Sequence, residues 1–283
     1  MTTFGPYEAL GTIWYVECFS SVDTDKLSQV VTEHLHSFEA RYSRFRTDSW
    51  LSQLNQTGVC EDPDSEFVTL LRLALIFAEV TQDTFNIAVG EQIQASGYDA
   101  QYSFTQQAAL PAVPPLATVL GVTEERITLT DGALDLGGYA KGFCIDRLAE
   151  KLEMELECEH FLINGGGDIY VSSNQGEPIE ITLAHPTNQA ESIGAIKLKD
   201  QGFAASSPFV RCWQDANTGQ AQNHLLTQNK LASYVVAKET VTADAWATTL
   251  AIEPTLDAPE DVEVLLVEKG RIRQKGEGFV LFG

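Results

Sequence analysis

The sequence predicts an α+β fold built as one large domain. Stretches with strand periodicity follow one another with helices inserted at irregular intervals, unlike the regular alternation of a doubly wound fold. No linker, internal repeat or low-complexity tract divides the 283 residues. With 44% apolar and 20% charged residues, the composition suits a soluble globular chain with a sizeable core.

The elements follow from local pattern. Ile13 to Phe19 alternates as a strand. Asp23 or Thr24 caps a helix whose apolar residues Leu27, Val30, Val31, Leu35, Phe38 and Tyr42 keep helical spacing. A short helical turn begins at Ser49. Pro63 and Ser65 open a second long helix carrying Phe67, Leu70, Leu71, Ala74, Leu75 and Ala78. Residues 95 to 117, rich in Gly, Gln, Ala and Pro, read as a long surface loop. Arg126 to Thr130, the Asp131-Gly132 turn and Ala133 to Leu136 read as a hairpin. A helix over Tyr139 to Glu157 follows, then strands at Phe161–Asn164, Asp168–Ser172, Ile179–Ala184, Ile193–Leu198 and Phe203–Ser206. Ser233 to Ala237 is a strand leading to a helix capped near Thr242, and strands at Val262–Val267 and Phe279–Phe282 end the chain.

Charge narrows the function classes. Eighteen basic against 40 acidic residues give a net charge of −22, which repels nucleic-acid phosphates and anionic lipid. The longest apolar stretch, Leu70 to Ala78, is broken by Arg72 and too short to span a bilayer. The opening MTTFGPYEALGT has neither a basic nor an apolar leader region, so the chain as written reads as cytoplasmic, and as exported if a leader has been trimmed. Cys18, Cys60, Cys144, Cys158 and Cys212 are scattered without zinc spacing and read as reduced thiols. Among the histidines, His34, His36, His160, His185 and His224 form no HxxxH or HExxH pair. His34 and His36 read as structural or solvated; His224 is a candidate general base or an ordinary histidine.

Three segments carry candidate chemistry. In DLGGYAKGFCIDRLAEKL, Asp135 to Leu152, two glycines open a helix with Lys141 in its first turn. Helix N–H groups, the positive dipole end and a lysine suit a phosphate; the alternative is an ordinary glycine turn with Lys141 solvated. In NGGGDI, Asn164 to Ile169, three glycines after a strand permit close approach to a ligand, or a tight turn between strands. In TADAWATTL, Asp244 and Thr248 stand four apart on one helix face. Their hard oxygens suit Mg²⁺ beside phosphate; the alternative is helix capping and back-bonding to the main chain.

In order along the chain these segments resemble the ApbE family of flavin transferases. LGT at Leu10 to Thr12 resembles that family's MGT, and ARYSRFRTDSWLSQLN resembles its YSxFxxxSxLSxLN stretch. TQDTFN resembles the segment ending AFD, DLGGYAKGFCID resembles DLGGIAKGYAVD, and INGGGDI resembles VNxGGDI. AASSPFVR, NHLL and TADAWATTL resemble ATSGxYxR, the HII segment and ADAxxT. The likeness runs from about residue 10 to residue 252.

The resemblance implies a single large domain of mixed, largely antiparallel sheets with packed helices, and Mg²⁺-dependent transfer of FMN from FAD to a threonine hydroxyl of an acceptor protein, releasing AMP. It implies flavin contacts at Leu10, Phe45, Thr84, Phe85, Asn86, Asp135, Lys141 and Leu226. Mg²⁺ would be held by Asp244, Thr248 and the carbonyl of Gly138, and His224 would assist the attacking hydroxyl. Three substitutions depart from the family pattern: Asn86 for aspartate, Ser206-Ser207-Pro208 for TSG, and Leu10 for methionine. After His224 the DPxTG turn is missing. A non-catalytic FAD-binding protein and a Mg²⁺-dependent FAD pyrophosphatase are the competing readings.

Overall fold

The computed structural model describes every residue except 100, 108, 174, 175, 270 and 283. In chain order the elements are β1 (Thr2–Ala9), β2 (Thr12–Cys18), α1 (Thr24–Tyr42), α2 (Trp50–Thr57), β3 (Val59–Glu61), α3 (Ser65–Val80), α4 (Gly90–Ala95), α5 (Leu116–Val119), β4 (Leu120–Val122), β5 (Arg126–Leu129) and α6 (Ala140–Leu156). They continue as β6 (His160–Gly165), β7 (Asp168–Ser173), β8 (Ile179–His185), β9 (Asn188–Leu198), β10 (Gln201–Ser206), β11 (Cys212–Gln214), β12 (Ala221–Asn223), β13 (Leu231–Ala237), α7 (Thr240–Ile252), β14 (Glu263–Glu268), β15 (Arg271–Lys275) and β16 (Phe279–Leu281). These elements form two compact units. The first is Met1–Phe38, Tyr139–Val210 and Lys230–Gly283; the second is Glu39–Gly138 and Arg211–Asn229.

The first unit is layered around an eight-stranded sheet in the order β1-β2-β6-β7-β10-β13-β14-β15, with every neighbouring pair antiparallel. β13 shows why it is central. All seven of its residues are buried, and the strand's period of two deals them to opposite faces. Leu231, Val235 and Ala237 join Trp246, Ala247 and Leu250 of α7. Ala232, Tyr234 and Val236 join Leu183, Ile196 and Phe279, which belong to the three-stranded sheet β16-β9-β8. The polar Ser233 is tolerated at full burial because its hydroxyl donates to the carbonyl of Ala247 at 2.5 Å. α7 is buried on nearly every side, as its apolar composition requires.

The second unit packs α2 to α5 with the small sheet β3-β5-β4 and the ribbon β11-β12. Ser49 caps α2 by accepting from the Ser52 N–H at 3.0 Å, and Asp64 caps α3 by accepting from the Phe67 N–H at 2.7 Å. Of the loop expected over 95–117, Ala95 ends α4 and Leu116 and Ala117 begin α5, while the described residues between them carry neither helix nor strand.

Two expectations are corrected. Ala133 to Leu136 is not a return strand. β5 instead pairs with β3 and β4, and Ala133 makes only an isolated bridge to Val89. The cause is Asn55, whose amide imitates a neighbouring strand. Its Oδ1 accepts from the Leu134 N–H at 2.8 Å and its Nδ2 donates to the Leu134 carbonyl at 3.0 Å. The last long helix starts at Thr240 rather than near Thr242, because a side chain from α6 receives its first N–H groups. The sequence carries no strand signal for β1, interrupted by Gly5-Pro6, or for β15, whose RIRQK has no apolar alternation.

Replacing Asn55 with Ala strands the Leu134 N–H and carbonyl together. We expect a loss of about 2–4 kcal/mol in urea unfolding, from two unsatisfied main-chain groups. An unchanged midpoint would show that water takes over both bonds.

Candidate active site

The first unit gathers three charged side chains from three elements. Lys141 lies in the first turn of α6, Asp168 is the first residue of β7, and Asp244 sits in the second turn of α7. The Lys141 ammonium forms a short ion pair with the Asp168 carboxylate and lies 3.3 Å from Asp244 Oδ2. Asp244 Oδ2 also accepts from the Gly142 N–H at 3.1 Å, an orphan donor of the α6 N-terminus. Both carboxylates are buried, with side chains 4% and 6% exposed. One ammonium between two carboxylates leaves a surplus negative charge. Its effect is visible on Asp244, where burial foremost, and then the neighbouring Asp168 charge, push the carboxyl up to about 7 against the pull of Lys141.

Backbone geometry places these groups. Gly166 and Gly167, at φ +72° and +101°, turn the chain between β6 and β7 and deliver Asp168 to the strand start. This accounts for two of the three glycines in NGGGD: they build the turn. α6 and α7 approach so closely that a Cβ on Gly142 would lie 2.5 Å from the Thr240 carbonyl oxygen. Asp146, one turn beyond Gly142, accepts from the Thr240 and Val241 N–H groups at 2.8 Å each and so caps α7. Thr248 stands one turn after Asp244, half-buried. Leu10 lies elsewhere in this unit, in the two-residue turn of the β1–β2 hairpin. There Leu10 and Gly11 both take left-handed conformations, φ 53° and 67°.

The second unit holds the remaining sequence-predicted residues. Asp135 is buried, with Oδ2 2.6 Å from Arg44 Nε and Oδ1 accepting from the Gly137 N–H at 2.7 Å. The Arg44 guanidinium lies 4.1 Å from the Phe45 ring centroid, and the Phe45 ring is exposed. Phe85 is buried against Phe77, edge to face at 5.6 Å. Asn86 donates to Asp83 Oδ1 and the Pro114 carbonyl and accepts from the Ala88 N–H, so its amide is committed to the loop. Thr84 joins the same turn through its N–H to the Thr81 carbonyl. His224 Nδ1 lies 3.3 Å from the Arg211 carbonyl, which places the proton on Nδ1 and the lone pair on Nε2. Leu226 follows at φ 52°. Gly138 is the last residue of this unit's first segment.

Asp168, Asp146 and Arg44 were not singled out in the sequence. Their signals were present in an acid after a glycine run, an acid one turn into the glycine-opened helix, and an arginine beside Phe45. Two other histidines serve structure: His34 Nε2 lies 2.9 Å from the Cys144 carbonyl, and His185 Nδ1 accepts from the Thr187 and Asn188 N–H groups. All five cysteines are free thiols. Among the described residues no helix is long and apolar enough to cross a membrane, and no group of three or more His, Cys, Asp and Glu is placed to hold a metal.

The chain matches the ApbE family over residues 10–266. It is 25% identical over 275 residues to the FAD:protein FMN transferase of Haemophilus influenzae, covering 87% of this chain and 79% of that one. It is 22% identical to the protein of the same name from Salmonella typhimurium, covering 96% and 84%. Its fold is similar to the ApbE protein of Thermotoga maritima, with TM-score 0.79, 21% identity and 95% of each chain covered. It is also similar to the flavin transferase ApbE of Vibrio cholerae, with TM-score 0.71, 20% identity, and 98% and 94% covered.

Burial pushes the Asp146 carboxyl up to about 6, against the pull of the two N–H bonds. A carboxyl with a raised folded-state pKa favours folding most below its unfolded pKa, and that contribution is lost as pH rises through 6. Asp146→Asn removes this dependence. The stability gap between wild type and variant should shrink by roughly 2–3 kcal/mol from pH 4 to pH 7.5. Urea unfolding across that range tests it; parallel profiles would contradict the assignment.

Proposed function

The chain belongs to the ApbE family, and we propose that it transfers FMN from FAD to a threonine hydroxyl of an acceptor protein, with Mg²⁺ bound and AMP released. The observation that carries this reading is the half-buried Lys141 at the N-terminus of α6 with the buried Asp168 and Asp244 against it. The curated relatives named FAD:protein FMN transferase support the reaction class.

The residues fit a divalent cation. Two buried carboxylates face one ammonium, a surplus of negative charge that a cation would neutralise. Asp244, Thr248 and the Gly138 carbonyl would hold Mg²⁺, which supplies charge neutralisation at the diphosphate when bound.

The chain's own groups do the rest. The Lys141 ammonium binds diphosphate oxygen, and the α6 N–H groups favour the same negative charge. Asp168 holds Lys141 in place; it is a positioning residue. The threonine oxygen attacks the FMN phosphorus, forming one P–O bond as the bond to the AMP phosphate oxygen breaks. His224 Nε2 receives the hydroxyl proton, with Nδ1 anchored on the Arg211 carbonyl. AMP departs as the leaving group. The work is positioning and electrostatics, as in other phosphoryl transfers.

On the flavin side, Phe45 offers an exposed ring face backed by Arg44. Leu10, Thr84, Phe85, Asn86, Asp135 and Leu226 complete the proposed contacts. Phe85 and Asn86 would act by shaping the loop, since both are committed to packing or hydrogen bonds.

The test is incubation with FAD, Mg²⁺ and an acceptor domain, reading acceptor mass and the AMP and FMN in solution. The proposal expects one FMN added per acceptor, AMP released, and both blocked by EDTA. Asp244→Asn and Lys141→Met should each lower turnover by about 10²–10³. Free FMN with AMP and no acceptor gain would assign hydrolysis instead; intact bound FAD would assign a binding protein.

A further inference from the structure

The eight-stranded sheet ends in two edges that differ in kind. β1 carries Pro6 and a register shift between Phe4 and Tyr7, both of which spoil a template for another strand. β15 has neither feature. It pairs with β14 residue for residue, from Val264–Lys275 to Glu268–Arg271, and all five of its residues are exposed. It is the last strand in the sheet order, and β16 pairs with β9 instead. Among the described residues, the outer main-chain edge of β15 therefore has no strand partner.

The charge of this edge is opposite to that of the chain. In a protein with 18 basic residues and a net charge of −22, Lys269, Arg271, Arg273 and Lys275 fall within seven positions that contain no Asp or Glu. Lys275 donates to the carbonyls of Ala258 and Pro259. Among the described residues, Arg271 and Arg273 enter no salt bridge. Strand alternation puts Arg271, Arg273 and Lys275 on one face, opposite Glu268, Leu266 and Val264 of β14. An added strand with carboxylates at every second position would set them beside these cations.

A second copy of β15 is the wrong occupant. Antiparallel self-pairing would set arginines and lysine against one another, and like charges directly opposed are destabilising. The net charge of the chain does not repel an acidic partner here, because salt screens charges beyond roughly 8–10 Å and leaves the local basic edge dominant. We propose that β15 is a docking edge for an extended acidic segment of a partner protein, which adds as a ninth strand with alternate carboxylates against Arg271 and Arg273. This inference is independent of the transfer reaction.

The probe is a short fluorescent peptide alternating glutamate and valine, added to the full chain and read by anisotropy. We expect saturable binding that weakens roughly tenfold between about 50 and 300 mM NaCl. The double variant Arg271→Glu, Arg273→Glu should lose binding by at least about tenfold with an unchanged unfolding midpoint, while Lys238→Glu, on another exposed segment, should not. A proline in the middle of the peptide should abolish binding, because it breaks main-chain pairing at constant charge. The proposal is overturned by no binding up to about 1 mM, by equal binding of the proline peptide, or by tighter binding of a single-stranded oligothymidylate of equal charge. The first result would leave the basic residues as a guard against edge pairing, and the last would make the edge a general polyanion site.

Discussion

Two buried carboxylates share one ammonium, and the first unit is arranged to keep them there. Lys141, Asp168 and Asp244 come from α6, β7 and α7, three elements far apart in sequence. Burying one of these charges alone would be costly, so each depends on the others being in place. The glycine turn between β6 and β7 positions Asp168, the glycine contact between α6 and α7 brings Lys141 to Asp244, and Asp146 fixes where α7 begins. The packing of α7 against β13 and β14 carries this arrangement into the core. The site is a consequence of how the unit closes, and its geometry is set before any ligand arrives.

That preorganisation is what phosphoryl transfer needs. In the proposed reaction a diphosphate near Lys141 would bring its own negative charge to a site already carrying a surplus, which a bound cation would offset. A fixed array of buried charges loses little reorganisation energy when the substrate arrives. The strongly acidic surface does not prevent FAD from binding, because the local field is set by the few groups within a Debye length. The second unit contributes differently. The Arg44–Asp135 pair stiffens the segment that displays Phe45, and the contact from His224 Nδ1 to the Arg211 carbonyl sets a tautomer.

Much of this was legible in the sequence. The strands of the central sheet from β6 to β14 announce themselves by apolar alternation, and α1, α3 and α6 by helical spacing. The co-linear motifs placed Lys141, Asp244 and Thr248 together in function, and the fold puts Lys141 against Asp244. Other features were hidden because their causes lie in tertiary structure. Asn55 replaces a strand through one side-chain amide, so the 133–136 segment looked like a hairpin arm. Asp168 looked like an ordinary strand start, since nothing local shows that it meets Lys141. β15 has no apolar pattern because no layer covers it.

The proposal requires the buried carboxylates to take up a divalent cation together with a diphosphate. The most direct measurement is the thermal unfolding midpoint with Mg²⁺ alone, FAD alone and both together, in wild type and Asp244→Asn. A ligand that binds only the folded state raises the midpoint by mass action. We predict that Mg²⁺ and FAD together raise the wild-type midpoint by more than the sum of their separate effects, and that Asp244→Asn removes the excess. Purely additive shifts, or an excess that survives in the variant, would contradict it.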